Sequence, residues 1–214
     1  MSFVTARDNR QRVEADEPLA AANGIDDVPA LAFDLDRPEM QARLARLAIM
    51  DELTGAFNRR YFLAQAPVEL QRAIRYHRPL SFMFMDIDRF KQVNDRFGHS
   101  SGDQVLISFT SLCRQGLRPY DLFVRQGGDE FVVMLPETDL YQAAAVAGRL
   151  AETIRNAVFA VDPPIQGLTV SIGVSALCSP AETLDAIVKR ADEQLYRAKN
   201  GGRDRIEFQP NIKS

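Results

Sequence analysis

The chain contains a strongly hydrophobic segment, Pro79-Leu80-Ser81-Phe82-Met83-Phe84-Met85, followed at once by Asp86-Ile87-Asp88. Apolar side chains stand at both odd and even positions of this segment, whereas a strand with one solvated face alternates apolar and polar residues. The segment is therefore predicted to be a central strand that is buried on both faces. The two aspartates that follow it are predicted to lie at the edge of the sheet.

Helical and strand-like patterns alternate on both sides of this segment. Upstream, Asn58 is placed to cap a helix that runs to Ile74, with Pro67 as a point of restart or kinking. Downstream, strands at 122–125 and 131–135 predict a hairpin around the turn 126–129. The other predicted helices are 89–97, 102–116, 140–158 and 183–200, and the other predicted strands are 168–176 and 205–209. This order predicts an α/β fold with a mixed central sheet and helices on its faces.

The N-terminal part of the chain differs in composition from the rest. Residues 1–40 contain nine acidic and four basic residues, and residues 1–35 show no sustained periodicity. Residues 1–35 are therefore predicted to be a disordered acidic tail.

A short lead-in helix is predicted over 36–50, because Asp36 and Glu39 have the spacing of a capping box. Apolar residues follow helical spacing for one heptad, at Met40, Leu44 and Leu47. One heptad is too short to predict a coiled coil, but it is compatible with the last turns of a dimerising helix.

Length and composition exclude several classes of protein. The 214 residues are enough for one domain and a tail, and the net charge of −3 argues against a nucleic-acid binder. No uncharged apolar run reaches 18 residues and the N-terminus has no secretory pattern, so we expect no membrane span and a cytoplasmic protein. The two cysteines, Cys113 and Cys178, are far apart and are expected to be reduced, buried thiols.

Carboxylates gather at two places in the chain. Asp86 and Asp88 follow the hydrophobic strand, and Asp129 and Glu130 lie in the glycine-rich hairpin turn. If the two strands are neighbours, the clusters face each other, and a divalent cation would relieve their repulsion. Oxygen ligands without histidine or cysteine favour magnesium over zinc. The alternative is that Asp129 and the neighbouring glycines only form a turn.

Four sequence blocks resemble one known family. Gly127-Gly128-Asp129-Glu130-Phe131 resembles the signature of GGDEF-domain diguanylate cyclases, and Asp51-Glu52-Leu53-Thr54-Gly55-Ala56-Phe57-Asn58-Arg59-Arg60 resembles the family's entry motif. The nucleotide-binding stretch is matched by Asp86-Ile87-Asp88-Arg89-Phe90-Lys91, by Asn94-Asp95, and by residues 98–103. The resemblance covers about residues 47–208 and assigns 51–210 to such a domain.

The resemblance implies a fold like the palm of nucleotidyl cyclases and polymerases. It also implies that a homodimer condenses two GTP molecules into cyclic di-GMP and releases pyrophosphate. The implied cofactor is Mg²⁺, for which Mn²⁺ can substitute. The implied metal ligands are the Asp86, Asp129 and Glu130 carboxylates and the Ile87 carbonyl, and Lys91 joins the three acids as a catalytic residue. Asp88 is either a further ligand or only a cap of the next helix.

The resemblance also implies a substrate site. The backbone amides of Phe90 and Lys91 would bind phosphate at a helix start, and Lys199 and Arg203 would hold the β- and γ-phosphates. The alternative for Lys199 and Arg203 is that they complement a helix dipole. Asn94 and Asp103 would select guanine, because a carboxylate can accept both N–H groups of its Watson–Crick edge. Gly127 and Gly128 would let the backbone approach the nucleotide.

A second, inhibitory site for cyclic di-GMP is implied by Arg118-Pro119-Tyr120-Asp121, with five residues between Asp121 and Gly127. Arg149 matches a further arginine of that site. An RxxD pattern alone recurs by chance, so the alternative is a solvated surface pair.

Two other functions remain open at this stage. One is a catalytically silent domain that binds GTP or cyclic di-GMP and acts through a partner. The other is a palm-type polymerase or a different nucleotidyl cyclase, which the low basic charge and the pair Asn94 and Asp103 disfavour. The expected source of control is a regulatory protein bound through the N-terminal segment, the expression level, or a small element of the tail.

Overall fold

A computed structural model of the protein describes residues 38–210. The helices are α1 (Pro38–Ile49), α2 (Arg59–Tyr76), α3 (Phe90–Phe97), α4 (His99–Gln115), α5 (Leu140–Asn156) and α6 (Leu184–Asn200). The strands are β1 (Phe57–Asn58), β2 (Leu80–Ile87), β3 (Leu122–Gly127), β4 (Glu130–Pro136), β5 (Val158–Phe159), β6 (Ile165–Gln166), β7 (Val170–Ala176) and β8 (Ile206–Phe208). The predicted tail 1–35 and the predicted cap Asp36 lie outside the described residues.

The main sheet has six strands in the order β1-β3-β4-β2-β7-β8, and β2 lies between two antiparallel neighbours, β4 and β7. The outer pairs, β1 with β3 and β7 with β8, are parallel. The sheet is therefore mixed, and the prediction that 79–85 forms a central strand is confirmed.

Two hydrophobic cores cover the two faces of the sheet, as the apolar pattern of β2 requires. Phe82 packs with α2 and α6 on one face, and Met83 packs with α4 and α5 on the other. Both side chains are completely buried, and each such burial stabilises the fold by about 1.5–3 kcal/mol. No helix within residues 38–210 has the length and apolar character needed to cross a bilayer.

The entry helix α2 begins as predicted at Asn58. The Asn58 side-chain oxygen accepts a hydrogen bond from the Tyr61 amide at 2.9 Å, and its amide group donates to the carbonyl of Ala48 at 3.0 Å. The side chain therefore caps α2 and ties it to the end of α1. The helix continues through Pro67, because buried residues on either side of it, such as Phe62 and Leu70, keep this stretch packed on the core.

Several boundaries differ from the prediction. Helix α4 begins at His99 rather than at 102, because Gly98, at φ +81°, ends α3 and at once caps α4. Helix α5 ends at Asn156 rather than at 158, because Val158 belongs to a small β5–β6 sheet that was not predicted.

The two cysteines also differ from each other. Cys113 is buried, and burial raises the pKa of its thiol. Cys178 is exposed, so the prediction of two buried thiols is wrong for this residue. The Cys178 thiol lies in the segment after β7, where the chain has already left the core, and donates to the Ala176 carbonyl at 3.0 Å.

Candidate active site

The carboxylates meet at one edge of the sheet. Pairing of β2 with β4 places Asp86 directly opposite Glu130, and the Ile87 amide donates to the Asp129 carbonyl at 3.4 Å. The strands that carry the two acidic clusters are therefore neighbours, which was the condition for a shared site.

The turn between β3 and β4 contains two glycines with positive φ angles. Gly127 adopts φ +153° and Gly128 φ +55°, and no atom lies within 4 Å of where a Cβ would stand on either residue. Both residues thus adopt backbone angles that L side chains rarely reach. The open space lets a ligand approach this backbone closely.

Asp86 is the most perturbed acid of the site. Burial raises its pKa to about 6, from an ordinary value of 3.8, while a hydrogen bond from Lys199 opposes this rise. The charges of Asp129 and Glu130 raise the Asp86 pKa further. The Lys199 ammonium donates to Asp86 Oδ2 at 2.7 Å. The edge therefore holds three acids with one ammonium group to balance them.

The donor set fits a divalent cation that shares its coordination with a further ligand. No three histidine, cysteine or acidic side chains within residues 38–210 converge as a complete metal site. Asp86 and Glu130 face each other, however, and the negative charges already disfavour ionisation of Asp86. Carboxylate and carbonyl oxygens are the hard donors that Mg²⁺ prefers, and it commonly takes phosphate oxygens for the remaining positions.

Helices α3 and α4 form a tight corner beside this edge. A Cβ added at Gly102 would overlap the side-chain oxygen of Asn94, so only glycine permits this approach. The corner holds Asn94 half-buried next to Gly102 of α4, and the following residue, Asp103, is exposed. The structure thus places the two residues predicted to bind guanine in the two helices that form this corner.

Asp88 does not cap α3, which was one of its two predicted roles. The residue that precedes the helix is Arg89, at φ +58°, and no side chain caps it. Asp88 is instead buried, and its carboxylate accepts hydrogen bonds from the hydroxyls of Ser171 and Thr169 and from the Asp204 amide. The interpretation of Asp88 as a helix cap is therefore wrong. The first amides of α3 belong to Phe90, which is buried, and Lys91, whose side chain is exposed.

The loop after α6 carries the second predicted phosphate residue. Lys199 lies in the last turn of α6, and the Arg203 amide donates to the Ala198 carbonyl at 3.0 Å. Arg203 and Asp204 both adopt left-handed backbone angles, at φ +63° and +48°. The Arg203 side chain is exposed and lines a groove together with Asp88 and Arg89.

Arg125 is a residue of this region that the sequence did not single out. Its guanidinium donates to the Gly128 carbonyl at 2.9 Å and to Asp51 Oδ1 at 3.0 Å. Burial opposes ionisation of Asp51, but hydrogen bonds from Thr54 and Arg125 outweigh it and lower the Asp51 pKa. Arg125 thus joins the entry motif to the signature turn. In the sequence, the only indication of this role was a single arginine at the end of a hydrophobic strand.

The predicted inhibitory residues lie on another side of the domain. The Arg118 amide donates to Asp121 Oδ2 at 2.8 Å, and burial raises the pKa of Asp121. Both residues line a surface groove of about 820 Å³, together with Arg72, Tyr76, Arg78 and Tyr120. Arg149 is exposed on α5 and does not line this groove.

The sequence pattern described as "Diguanylate cyclase, GGDEF domain" matches residues 48–205. The chain therefore belongs to the GGDEF-domain family, in agreement with the resemblance of its motifs. The α/β fold with a mixed central sheet is likewise confirmed.

Individual relatives agree with this assignment. The chain is 41% identical over 162 residues to the response regulator PleD of Caulobacter vibrioides, a match that covers 75% of this chain and 36% of PleD. The chain thus spans little more than a third of this curated relative.

Solved structures give the same result. The diguanylate cyclase SiaD of Pseudomonas aeruginosa, in complex with its activator SiaC, is similar with a TM-score of 0.73 and 36% identity, covering 83% of this chain and 68% of that one. The coiled coil and GGDEF domain of DgcB from Caulobacter crescentus, in complex with c-di-GMP, is similar with a TM-score of 0.76 and 27% identity, covering 82% and 94%.

Proposed function

We propose that this protein is a magnesium-dependent diguanylate cyclase that converts two GTP molecules into cyclic di-GMP and two pyrophosphates. The observation that carries the proposal is the placement of Asp86 opposite Glu130 beside the signature turn, within a GGDEF-family domain. Each ribose 3′-oxygen forms a bond to the α-phosphorus of the other GTP. The bond from that phosphorus to the β-phosphate oxygen breaks, and the hydroxyl proton leaves to solvent or a nearby base.

The metal-side residues are Asp86, Asp129 and Glu130, together with the Ile87 carbonyl. When bound, the divalent cation lowers the pKa of the attacking hydroxyl and neutralises charge on the leaving pyrophosphate. Mg²⁺ is the proposed ion, and Mn²⁺ is the proposed substitute, because both accept oxygen ligands. Ionised carboxylates are needed for this role, so the raised pKa of Asp86 makes the site sensitive to acid.

The nucleotide is bound by groups that surround this edge. The backbone amides of Phe90 and Lys91, at the start of α3, donate to phosphate oxygens, and the Lys91 side chain adds a positive charge there. Lys199 and Arg203 bind the β- and γ-phosphates. Lys199 then exchanges its carboxylate partner, Asp86, for phosphate oxygens.

Guanine is selected at the corner of α3 and α4. Asp103 accepts from the two N–H groups of the guanine edge, and Asn94 adds a donor and an acceptor. Adenine would leave these groups unpaired, which is the costlier kind of mismatch. Gly127 and Gly128 allow the signature turn to lie against the nucleotide.

The catalytic unit is proposed to be a homodimer, because one domain holds one GTP and the reaction joins two. Helix α1 supports this, since Leu44 and Leu47 are 46% and 44% exposed. The same helix and the segment before it are the proposed contact for a regulatory protein, as SiaD is found with an activator. GTP is a cytoplasmic substrate, so the cytoplasm is the proposed location.

Product inhibition is proposed at Arg118 and Asp121. The arginines and tyrosines around that groove suit a phosphodiester and a purine. Arg149 lies elsewhere on the domain, so it would serve a product molecule shared with a second domain.

The alternative is a catalytically silent GGDEF domain that binds GTP or cyclic di-GMP and signals through a partner. The intact acids and glycines of the signature favour the enzyme. The test is incubation of purified protein with GTP and Mg²⁺, followed by mass analysis of the product, with Asp129→Ala as the control. Cyclic di-GMP formed by the wild type alone supports the cyclase. GTP binding without any product would support the silent domain.

A further inference from the structure

Asp88 is a buried acid that the proposed reaction does not use. Its side chain accepts three hydrogen bonds: Ser171 Oγ donates to Oδ1 at 2.6 Å, and Thr169 Oγ1 and the Asp204 amide donate to Oδ2 at 2.7 and 3.0 Å. Only 6% of the residue is exposed. Both carboxylate oxygens are therefore occupied by the protein itself.

These bonds connect three parts of the chain that are distant in sequence. Asp88 follows β2, Thr169 and Ser171 stand at the start of β7, and Asp204 belongs to the loop 201–205. The Asp88 backbone amide adds a bond to the Thr169 carbonyl at 2.9 Å. Asp88 thus anchors the loop to the neighbouring strands β2 and β7, beside the proposed metal-binding carboxylates.

The loop 201–205 needs such an anchor. Arg203 and Asp204 adopt left-handed backbone angles in succession, which is unfavourable for residues with a Cβ. The amide that donates to Asp88 belongs to Asp204, the second residue of this strained pair. A carboxylate accepts a stronger hydrogen bond than a neutral oxygen does, so it can hold the strained form.

The second anchor of the loop is weaker. The Asp204 side chain pairs with Arg155 of α5, but the two side chains are 39% and 45% exposed. Exposed ion pairs contribute little to stability, since water competes for both charges. Backbone hydrogen bonds also hold the loop, from the Arg203 amide to the Ala198 carbonyl and from the Ile172 amide to the Arg205 carbonyl, both at 3.0 Å. Asp88 is the buried side chain that binds the loop, and it lines the same groove as Arg203.

We propose that Asp88 is a positioning residue that holds the loop 201–205 so that Arg203 meets the terminal phosphates of GTP. The inference rests on the proposed function and adds to it a residue that acts only through the loop. Asp88 does not touch the nucleotide. Its loss should weaken binding of the triphosphate and leave binding of the guanine and ribose almost unchanged.

The test compares the affinities of 3′-deoxy-GTP and 3′-deoxy-GMP, which cannot react, by titration calorimetry with Mg²⁺. Asp88→Asn keeps the shape but removes one acceptor, and should weaken 3′-deoxy-GTP binding about tenfold. Binding of 3′-deoxy-GMP should change less than about twofold. Hydrogen exchange of the amides in 201–205 should become faster in the same variant.

Matched variants separate this role from general destabilisation. Ser175→Ala removes a buried hydroxyl from the same strand, but that hydroxyl donates to the Ile187 carbonyl. It should leave the triphosphate preference and the loop exchange unchanged. Thr169→Val removes one donor to Asp88 and should reproduce part of the effect, whereas Thr169→Ser retains the hydroxyl and should restore binding. If Asp88→Asn does not fold, Thr169→Val carries the test.

Equal losses for both nucleotides, or unchanged exchange of the loop, would overturn the positioning role. Wild-type turnover of GTP is measured in parallel. An active wild type with an unaffected Asp88→Asn variant refutes only this inference, while a wild type that forms no cyclic di-GMP refutes the proposed function.

Discussion

Lys199 in the last turn of α6 donates to Asp86 Oδ2 at the end of β2, at 2.7 Å. The two side chains are 113 positions apart in sequence, and both were expected to serve the same nucleotide, one at its phosphates and one at its metal. Their pairing shows that the ammonium group compensates the acidic edge in this structure. Under the proposed function, GTP and its metal would rearrange this ion pair.

Replacing Lys199 by methionine should move the acid limb of the pH profile of kcat/KM, which reports the free enzyme, to higher pH. Lys199 lowers the pKa of Asp86, so its removal raises that pKa above about 6, and more of the carboxylate is protonated near neutrality. Turnover should also fall about 10²-fold through loss of a phosphate donor. Lys189→Met, at a lysine whose side chain is 77% exposed, is the control. An unshifted acid limb would contradict the role of the pair.

Asp86→Asn should abolish turnover and still make the domain more stable at neutral pH. The folded pKa of Asp86 is raised from 3.8 to about 6, so the folded state binds the proton more tightly than the unfolded state. Wild-type stability therefore falls as pH rises through this window, and asparagine avoids that loss.

The expected gain is about 1 kcal/mol in the free energy of unfolding at pH 7.5, after allowing for the lost ion pair with Lys199. The gain should shrink at pH 4.5. Urea denaturation at the two pH values measures the difference, and a variant less stable than wild type at pH 7.5 would count against it.

Gly102→Ala should impair GTP binding although alanine favours helices. The added Cβ would overlap Asn94 Oδ1, so the Asn94 side chain must leave the position that we propose for guanine binding. We expect at least about a tenfold loss in affinity for 3′-deoxy-GTP, comparable to losing one good polar contact.

Gly148→Ala on α5 is the matched control. Its Cβ would meet its nearest neighbour, Ile206, at 3.9 Å, an ordinary contact. This variant should bind GTP normally and gain about 0.5–1 kcal/mol of stability from helix propensity. Equal GTP affinities for the two variants would show that Asn94 is not part of the base site.

Arg118→Ala should keep the initial rate and lose product inhibition. The Arg118 side chain is exposed at the 820 Å³ groove, on another side of the domain from Asp86. Inhibition requires cyclic di-GMP to bind an inactive arrangement of the domains more tightly than the active dimer. Equal affinity for both arrangements would leave their populations unchanged. Progress curves with added product measure it, and the same curves for Arg149→Ala test the shared site. Unaltered inhibition in both variants would make the RxxD a surface pair.

Specific activity should fall on dilution, because each 3′-hydroxyl must meet a GTP held by another chain. Leu44→Glu on α1 should shift this fall to higher protein concentration, since it charges an exposed apolar position of the lead-in helix. Glu52→Gln, at an exposed position outside the helix, is the control. Activity per chain that stays constant well below the dimerisation constant would argue against a dimeric active species.

Local patterns in the sequence were sufficient to predict the fold class and most of its helices and strands. The apolar residues on both faces of β2 predicted helices packed on both sides of the sheet, and the glycines of the signature predicted a turn. Both properties could be predicted because they depend only on residues that are close in sequence. Asn58 was likewise recognisable as a cap from its position before α2. The motifs then named the residues that the proposed reaction uses.

Contacts between distant segments were decided only by the tertiary structure. From the sequence, Asp88 could be interpreted as a helix cap, but in the structure it binds two hydroxyls next to and within β7 and an amide of the loop 201–205. Arg125 binds Asp51, which lies 74 positions away in the sequence. A carboxylate accepts from whichever donors the folded chain brings to it, and sequence spacing does not specify those donors. The hydroxyl residues Thr169, Ser171 and Ser175, at alternating positions of the stretch 169–175, were the one sequence signal of such a partner. Its meaning depended on the antiparallel pairing of β2 with β7, which brings the first two hydroxyls to Asp88.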